Sequence, residues 1–286
     1  MALRQATKKI MIALSSHAAL ITGSTKGVGL AIAKAFAAAG AEVVLHGRTQ
    51  SRDSEQAIVA CRQHGSIVDF VTADLAEPNA ASVPDLFDRA IKANPKIDIL
   101  VNNAGQYFDL PFEQMTVDRL SKTISLNVTS GYFLTQAFAR RWTADGTSGR
   151  VLFIGSINGR LAEPDSTAYD TSKGAVEMMV KTLCVALAPK GIRVNGLAPG
   201  LVRTPQTHWL DDQPETVDWI KQHTPNHQIP DASVCGEGAV YLVSNAAEHV
   251  HGQMLLVDGG LSVWQHPLAD ISTESPHVSD EDGDQS

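Results

Sequence analysis

Tyr169 and Lys173 stand four residues apart, and Ser156 precedes them just past an apolar run at 151–154. On a helix this spacing places the Tyr and Lys side chains on one face. A free tyrosine titrates near about 10 and is a poor proton donor or acceptor at neutrality. A nearby ammonium favours the phenolate and draws that value down. Tyrosine, lysine and a strand-end hydroxyl are therefore a plausible proton-transfer set. A Tyr–Lys pair on an ordinary helix surface is the bland alternative, so the pair gains weight only from what accompanies it.

Two glycine-bearing segments accompany it. Thr22-Gly23-Ser24-Thr25-Lys26-Gly27-Val28-Gly29 joins a first apolar run to a helical pattern. Glycines at such a turn let the backbone approach a pyrophosphate, with free helix N–H groups aimed at it. The spacing is G-x-x-x-G-x-G, and alone it could equally be a turn without a ligand. Asn102-Asn103-Ala104-Gly105 follows the run at 97–101, and Asp74 follows the run at 67–71. Asn and Gly are common turn residues, and capping is the more generic role for Asp74.

The elements that must position these residues alternate along the chain. Short apolar runs occur at 18–21, 43–45, 67–71, 97–101, 151–154, 192–194 and 254–257. Runs apolar on both faces suit a parallel sheet covered by helices on both sides. Helical stripes lie between them: Val28, Ile32 and Phe36, then Val176, Val180, Leu183 and Leu187. The pattern predicts an α/β fold, a single doubly wound domain with a parallel sheet of about seven strands. The stretch 199–230, with Pro205, Pro214 and Pro225, reads as the longest irregular region and as a binding lid. The expected organisation is a frayed extension over 1–14, the domain over 15–262 and a disordered acidic tail over 263–286.

Composition narrows the class. The chain has 286 residues, 43% hydrophobic and 19% charged, with three scattered cysteines. No apolar stretch reaches the roughly 18 to 20 residues of a membrane helix. The formal charge is −8, but six acids lie in 270–286, leaving a near-neutral body with no footprint for nucleic acid. Cys61, Cys184 and Cys235 form no C-x-x-C pair, which argues against a disulfide framework or zinc cage and agrees with a cytoplasmic location. The basic, acid-free N-terminus has some likeness to a targeting segment, but its apolar run is short.

Thr22–Gly29, Asn102–Gly105, Asn127, Ser156, Tyr169-x-x-x-Lys173, Pro199-Gly200 and Val257-Asp258-Gly259-Gly260 together resemble, in order and spacing, the short-chain dehydrogenase/reductase family. The likeness is to its single-domain Rossmann branch and covers about residues 15–260. It implies that Tyr169 is the general acid–base and that Lys173 binds the nicotinamide ribose and lowers the tyrosine pKa. Ser156 would orient the substrate oxygen, and Asn127 would hold a relay water. Gly23, Thr25, Gly27, Val28 and Gly29 would face the pyrophosphate. Asp74 and Leu75 would face the adenine, with Asn102, Ala104 and Gly105 at its ribose side. Pro199, Gly200, Val202 and Thr204 would contact the nicotinamide. Members of the family pair through long helices, so a homotetramer or homodimer is implied.

NAD-preferring members carry an acid at the end of the second strand. Here 43–48 reads Val-Val-Leu-His-Gly-Arg, without one. Lys26 and Arg48 could instead pair with a 2′-phosphate, so NADP(H) is favoured over NAD(H). The expected activity is interconversion of a small-molecule ketone and secondary alcohol. A 3-oxoacyl carrier-protein reductase and a sugar or polyol dehydrogenase are rivals, and a silent dinucleotide-binding regulator is a rival of another class. Ser156, Asn158, Gln106, Tyr107, His208 and Trp209 are the expected substrate contacts. No metal is expected, because the scattered histidines lack ligand spacing. The sequon at Asn127 and the serine of Gly155-Ser156 carry neither a glycan site nor a nucleophile elbow.

Overall fold

The seven apolar runs become seven parallel strands in the order β3-β2-β1-β4-β5-β6-β7. They are β1 (Ala18–Ile21), β2 (Glu42–Gly47), β3 (Val68–Thr72), β4 (Ile99–Asn102), β5 (Arg150–Ile154), β6 (Arg193–Pro199) and β7 (Met254–Val257). The computed structural model describes residues 12–76 and 82–263. Most of the expected extension and tail lies outside them. Leu14 is fully buried, so the packed body already includes residues ahead of the boundary expected at 15.

Each face of the sheet has its own apolar layer. On one side α3 (Ser82–Ala93), α5 (Ser130–Asp145) and α6 (Thr167–Leu187) pack Leu86, Phe138, Trp142 and Val180 against Leu20, Leu100 and Val151. On the other, α1 (Gly27–Ala38), α2 (Arg52–Arg62) and α8 (Val234–Val243) pack Ile32, Phe36, Cys61 and Val240 against Ile21, Leu45 and Leu152. A strand buried on both faces must be apolar on both, which is why these strands do not alternate. The stripe Val176, Val180 and Leu187 belongs to this core rather than to the outer surface.

Two expectations are corrected. β6 runs five residues beyond its apolar run at 192–194, to Pro199, through Asn195. That side chain is buried because its amide donates to Val250 O at 2.6 Å and its oxygen accepts from Gln253 N at 3.0 Å. A satisfied polar residue can continue a buried strand. The stretch 199–230 is not irregular either. It contains a 3₁₀ turn at Pro205–Asp212 and helix α7 (Pro214–His223), with Leu210, Val217 and Ile229 forming a small core of their own. Pro205 and Pro214 sit in the first helical positions, where the missing N–H costs nothing.

β1 and β4 are neighbours although β2 and β3 intervene in sequence. The chain thus winds outward in both directions from them, and the crevice beyond their carboxyl ends is where such sheets bind ligands. Thr22, Asn103 and Ser156 all leave the sheet at this edge.

Candidate active site

A cleft of about 1,320 Å³ opens above the carboxyl ends of the strands. That exceeds the roughly 300–1,000 Å³ of an ordinary small-molecule pocket and has room for a dinucleotide together with a substrate. Its floor at one end is the glycine turn. Gly23 and Gly27 have φ of +62° and +57°, a conformation that glycine adopts without strain. A Cβ on Gly29 would lie 2.4 Å from the Asn103 side chain. Asn103 Nδ2 donates to Thr22 O and Gly23 O at 2.8 and 2.9 Å, and Thr22 Oγ1 accepts from Asn103 N and Ala104 N. The turn after β1 is thereby stitched to the turn after β4.

A second clamp was not anticipated from the sequence. Gly23 N donates to His46 Nδ1 at 3.1 Å, and His46 Nε2 lies 3.1 Å from Ala73 O. One nitrogen must accept and the other donate, so the ring is neutral with its proton on Nε2. Burial pushes its pKa down to about 4.

The cleft takes a cationic side from Lys26 and Arg48, both exposed, and no acid ends β2. Among the described residues neither cation forms an ion pair. Asp74 also lines the cleft, with its carboxylate accepting from Ala76 N at 3.0 Å. Leu75, Ala104, Gly105, Pro199, Gly200 and Val202 line it as well. Thr204 does too, as the cap of the 3₁₀ turn, and a Cβ on Gly27 would lie 3.6 Å from it.

At the other end α6 presents Tyr169 and Lys173. Ser156 caps a short turn after β5 and accepts from Asn158 N at 3.1 Å. Its hydroxyl lies near enough to Tyr169 to favour the phenolate. Lys173 is buried, donates to Ile154 O at 2.8 Å and lies 5.5 Å from the centre of the Tyr169 ring. Burial raises the tyrosine to about 12, Ser156 opposing and the charges of Asp170 and Glu163 adding to the rise. Burial likewise lowers Lys173 to about 8. In place of the expected depression of Tyr169 by Lys173, desolvation disfavours both charged forms.

Asn102 and His208 lie outside the cleft lining, and Asn127 sits behind it. Asn102 is buried under the cleft, donating to Thr135 Oγ1 at 3.0 Å. Asn127 sits in the π-turn Ser125–Thr129 between α4 (Val117–Ile124) and α5. Its amide donates to Gln106 O and Ser172 Oγ, and its oxygen accepts from Gln106 N. The side chain braces the turn after β4 against α6. Its burial also disposes of the glycan sequon. His208 turns away from the cleft, its ring 2.8 Å from Pro205 O, while Trp209 lines it. Asn158, Gln106 and Tyr107 line the cleft too, the Tyr107 ring standing edge-on to Tyr169 at 5.0 Å.

This arrangement is matched by a family model described as Enoyl-(Acyl carrier protein) reductase, over residues 23–262. The chain belongs to the short-chain dehydrogenase/reductase family. Among its relatives, gluconate 5-dehydrogenase of Gluconobacter oxydans is 34% identical over 88% of this chain and 97% of its own. A gluconate 5-dehydrogenase of Burkholderia cenocepacia, solved with NADP and tartrate, superposes with a TM-score of 0.82 at 34% identity, covering 89% of this chain and 98% of that one. A 3-oxoacyl (acyl-carrier-protein) reductase of Agrobacterium tumefaciens, solved with NADP bound, gives 0.81 at 27% identity over 90% and 99%. The short-chain dehydrogenase/reductase assignment thus spans the body of the chain. Among the described residues no helix is long and apolar enough to cross a membrane, and no group of three or more His, Cys, Asp or Glu could hold a metal ion.

Proposed function

We propose that this short-chain dehydrogenase/reductase uses NADP(H) to interconvert a ketone and a secondary alcohol, with Tyr169 moving the proton. The observation that carries the reading is the Ser156–Tyr169–Lys173 group at the end of a cleft whose far end is the glycine turn. The cofactor fits that turn. Gly29 leaves no room for a side chain, the first N–H groups of α1 have no partner within the helix, and Lys26 and Arg48 are free to meet a 2′-phosphate. Once bound, NADPH supplies hydride to the carbonyl carbon. Ser156 and Tyr169 hydrogen-bond the carbonyl oxygen, and Tyr169 passes its proton there as charge develops. Lys173 holds the nicotinamide ribose hydroxyls, and its ammonium offsets the phenolate that proton transfer leaves behind.

Asn127 keeps the π-turn and the Gln106 backbone in place beside this group, and Asn102 anchors the turn after β4 from beneath. Two hydroxyls meeting at one point suit a carbonyl or alcohol oxygen, which favours this chemistry over the carbon–carbon double-bond reduction named in the family model's description. Relatives named for gluconate favour a sugar or polyol over a carrier-protein thioester.

Arg48→Ala is expected to weaken NADPH binding by about 1 to 3 kcal/mol and leave NADH binding unchanged, measured by isothermal titration. Equal loss for both cofactors would contradict a 2′-phosphate site.

The assembly is a homodimer or homotetramer. The support is an outward apolar surface: Met178 and Val185 on α6, with Tyr132 and Phe133 on α5, are exposed while the core stripe of α6 is not. Met178→Glu with Val185→Glu is expected to reduce the mass seen by light scattering, and an unchanged mass would place the interface elsewhere. The free thiols Cys61, Cys184 and Cys235 suit the reducing cytoplasm. The domain boundaries near 15 and 262 complete the reading.

A further inference from the structure

We infer that the substrate end of the cleft selects an uncharged or amine-bearing polyhydroxylated substrate and discriminates against carboxylates. The inference rests on the oxidoreductase reading above and names the substrate class for the same site. It departs from the gluconate, an anion, that appears in the names of the relatives.

The charges of the cleft are balanced at one end and not at the other. Lys26 and Arg48 lie at the glycine-turn end together with Asp53 and Asp74, whereas Asp109, Glu163 and Asp165 line the Tyr169 end. Among the described residues Lys173 is the only Lys or Arg lining that second end, and its ammonium is tied to Ile154 O beneath the tyrosine. A substrate carboxylate would therefore face acids without a free cation to pair with it.

Two loops build this mouth. The chain after β4 carries Tyr107 and Asp109, and the chain after β5 carries Glu163 and Asp165. Leu110 N donates to Asp165 O at 2.8 Å and joins them. The Ser166 hydroxyl lies 3.2 Å from oxygens of both Asp109 and Glu163, and the Tyr107 hydroxyl donates to Asp109. Neutral hydroxyls thus hold two carboxylates close together without cancelling their charge. Among the described residues no Lys, Arg or His forms an ion pair with Asp109, Glu163 or Asp165.

The field of these acids reaches the reacting group. Glu163 contributes to the raised pKa of Tyr169, and the Tyr107 ring touches Tyr169 edge-on. A cleft wall of one sign concentrates ligands of the opposite sign and repels its own. Carboxylate oxygens are also acceptors only, and so complement the O–H donors of a polyol. Trp209 and Trp219 also line the cleft and supply apolar surface.

The test uses D-glucitol, D-gluconate and D-glucamine, which share their inner hydroxyl configuration and differ at one end as alcohol, carboxylate and ammonium. With NADP, kcat/KM is expected to be at least about tenfold lower for gluconate than for glucitol, with glucamine at or above glucitol. High salt should narrow the gap in the wild-type enzyme, because screening shortens the reach of exposed charges. Asp109→Asn, Glu163→Gln and Asp165→Asn combined should narrow it in low salt, with unchanged NADPH affinity reporting an intact fold. Gluconate turned over as well as glucitol, or a gap indifferent to both salt and the substitutions, overturns the inference. Failure of all three substrates while NADPH still reduces a simple neutral ketone overturns the polyhydroxylated class but leaves the oxidoreductase reading standing. Bound NADPH with no transfer to any carbonyl removes that reading and the inference with it.

Discussion

Tyr169→Phe is expected to lower kcat by about 10²–10⁴-fold while leaving NADPH affinity unchanged, the range typical of losing a positioned general acid. The substitution removes one oxygen and keeps the ring that packs edge-on against Tyr107 at 5.0 Å. Ser156 and Lys173 retain their backbone partners, Asn158 N and Ile154 O, so the surrounding geometry has no reason to move. The loss should appear in kcat rather than KM, because proton transfer is made in the transition state and not in the ground state. Steady-state kinetics with a reducible ketone, paired with NADPH titration, separates these quantities. A rate within about tenfold of wild type would remove Tyr169 from the proton step.

The pH behaviour follows from the same burial. Tyr169, raised to about 12, remains protonated across the neutral range, which is the form that donates to a carbonyl. Alcohol oxidation needs the phenolate and should accelerate as pH rises. Lys173, lowered to about 8, loses its ammonium as pH rises through that value, which removes part of the help it gives the phenolate. The group is therefore better prepared for reduction than for oxidation at neutrality.

What the sequence revealed and what it hid divide along a physical line. Strands buried on both faces must be apolar throughout, so all seven could be found as runs, and a four-residue Tyr–Lys spacing has one meaning on a helix. Asn195 hid the extent of β6 because its burial depends on Val250 and Gln253, more than fifty residues away. Asp109 and Glu163 lie in separate loops outside every motif of the sequence; only the fold brings both to the Ser166 hydroxyl. The asparagine pair after β4 offered two candidates of one type. The strand's alternation decides between them: Asn102 turns beneath the cleft toward Thr135, and Asn103 turns toward the glycine turn. The prolines of the lid read as breakers, yet two of them begin helices, since their effect depends on position.

His46 was equally hidden, and its titration is expected to dominate one part of the acid sensitivity. The buried ring accepts from Gly23 N and faces Ala73 O, so protonating Nδ1 would set two donors against each other and place a charge away from water. Its folded pKa is about 4, below the roughly 6.5 of an unfolded histidine. Between those values the unfolded chain binds the proton and the folded one does not, so stability increases with pH. The contribution is fully present above about 6.5 and is lost as pH falls toward about 4, amounting to roughly 3 kcal/mol over the whole interval. Glu42, Glu177 and Asp258, whose carboxyls are held below their ordinary values, also lose stability as pH falls. His46→Gln separates the contributions, because glutamine can offer one acceptor and one donor but does not titrate. Denaturant unfolding of both proteins near neutrality and near about pH 4.5 should show the wild type losing roughly 2 to 3 kcal/mol more than the variant. The same acidification should weaken NADPH binding more in the wild type, since Gly23 belongs to the turn proposed to receive the pyrophosphate. Parallel pH dependences for the two proteins would show that His46 fills space at the end of β2 without governing the glycine turn.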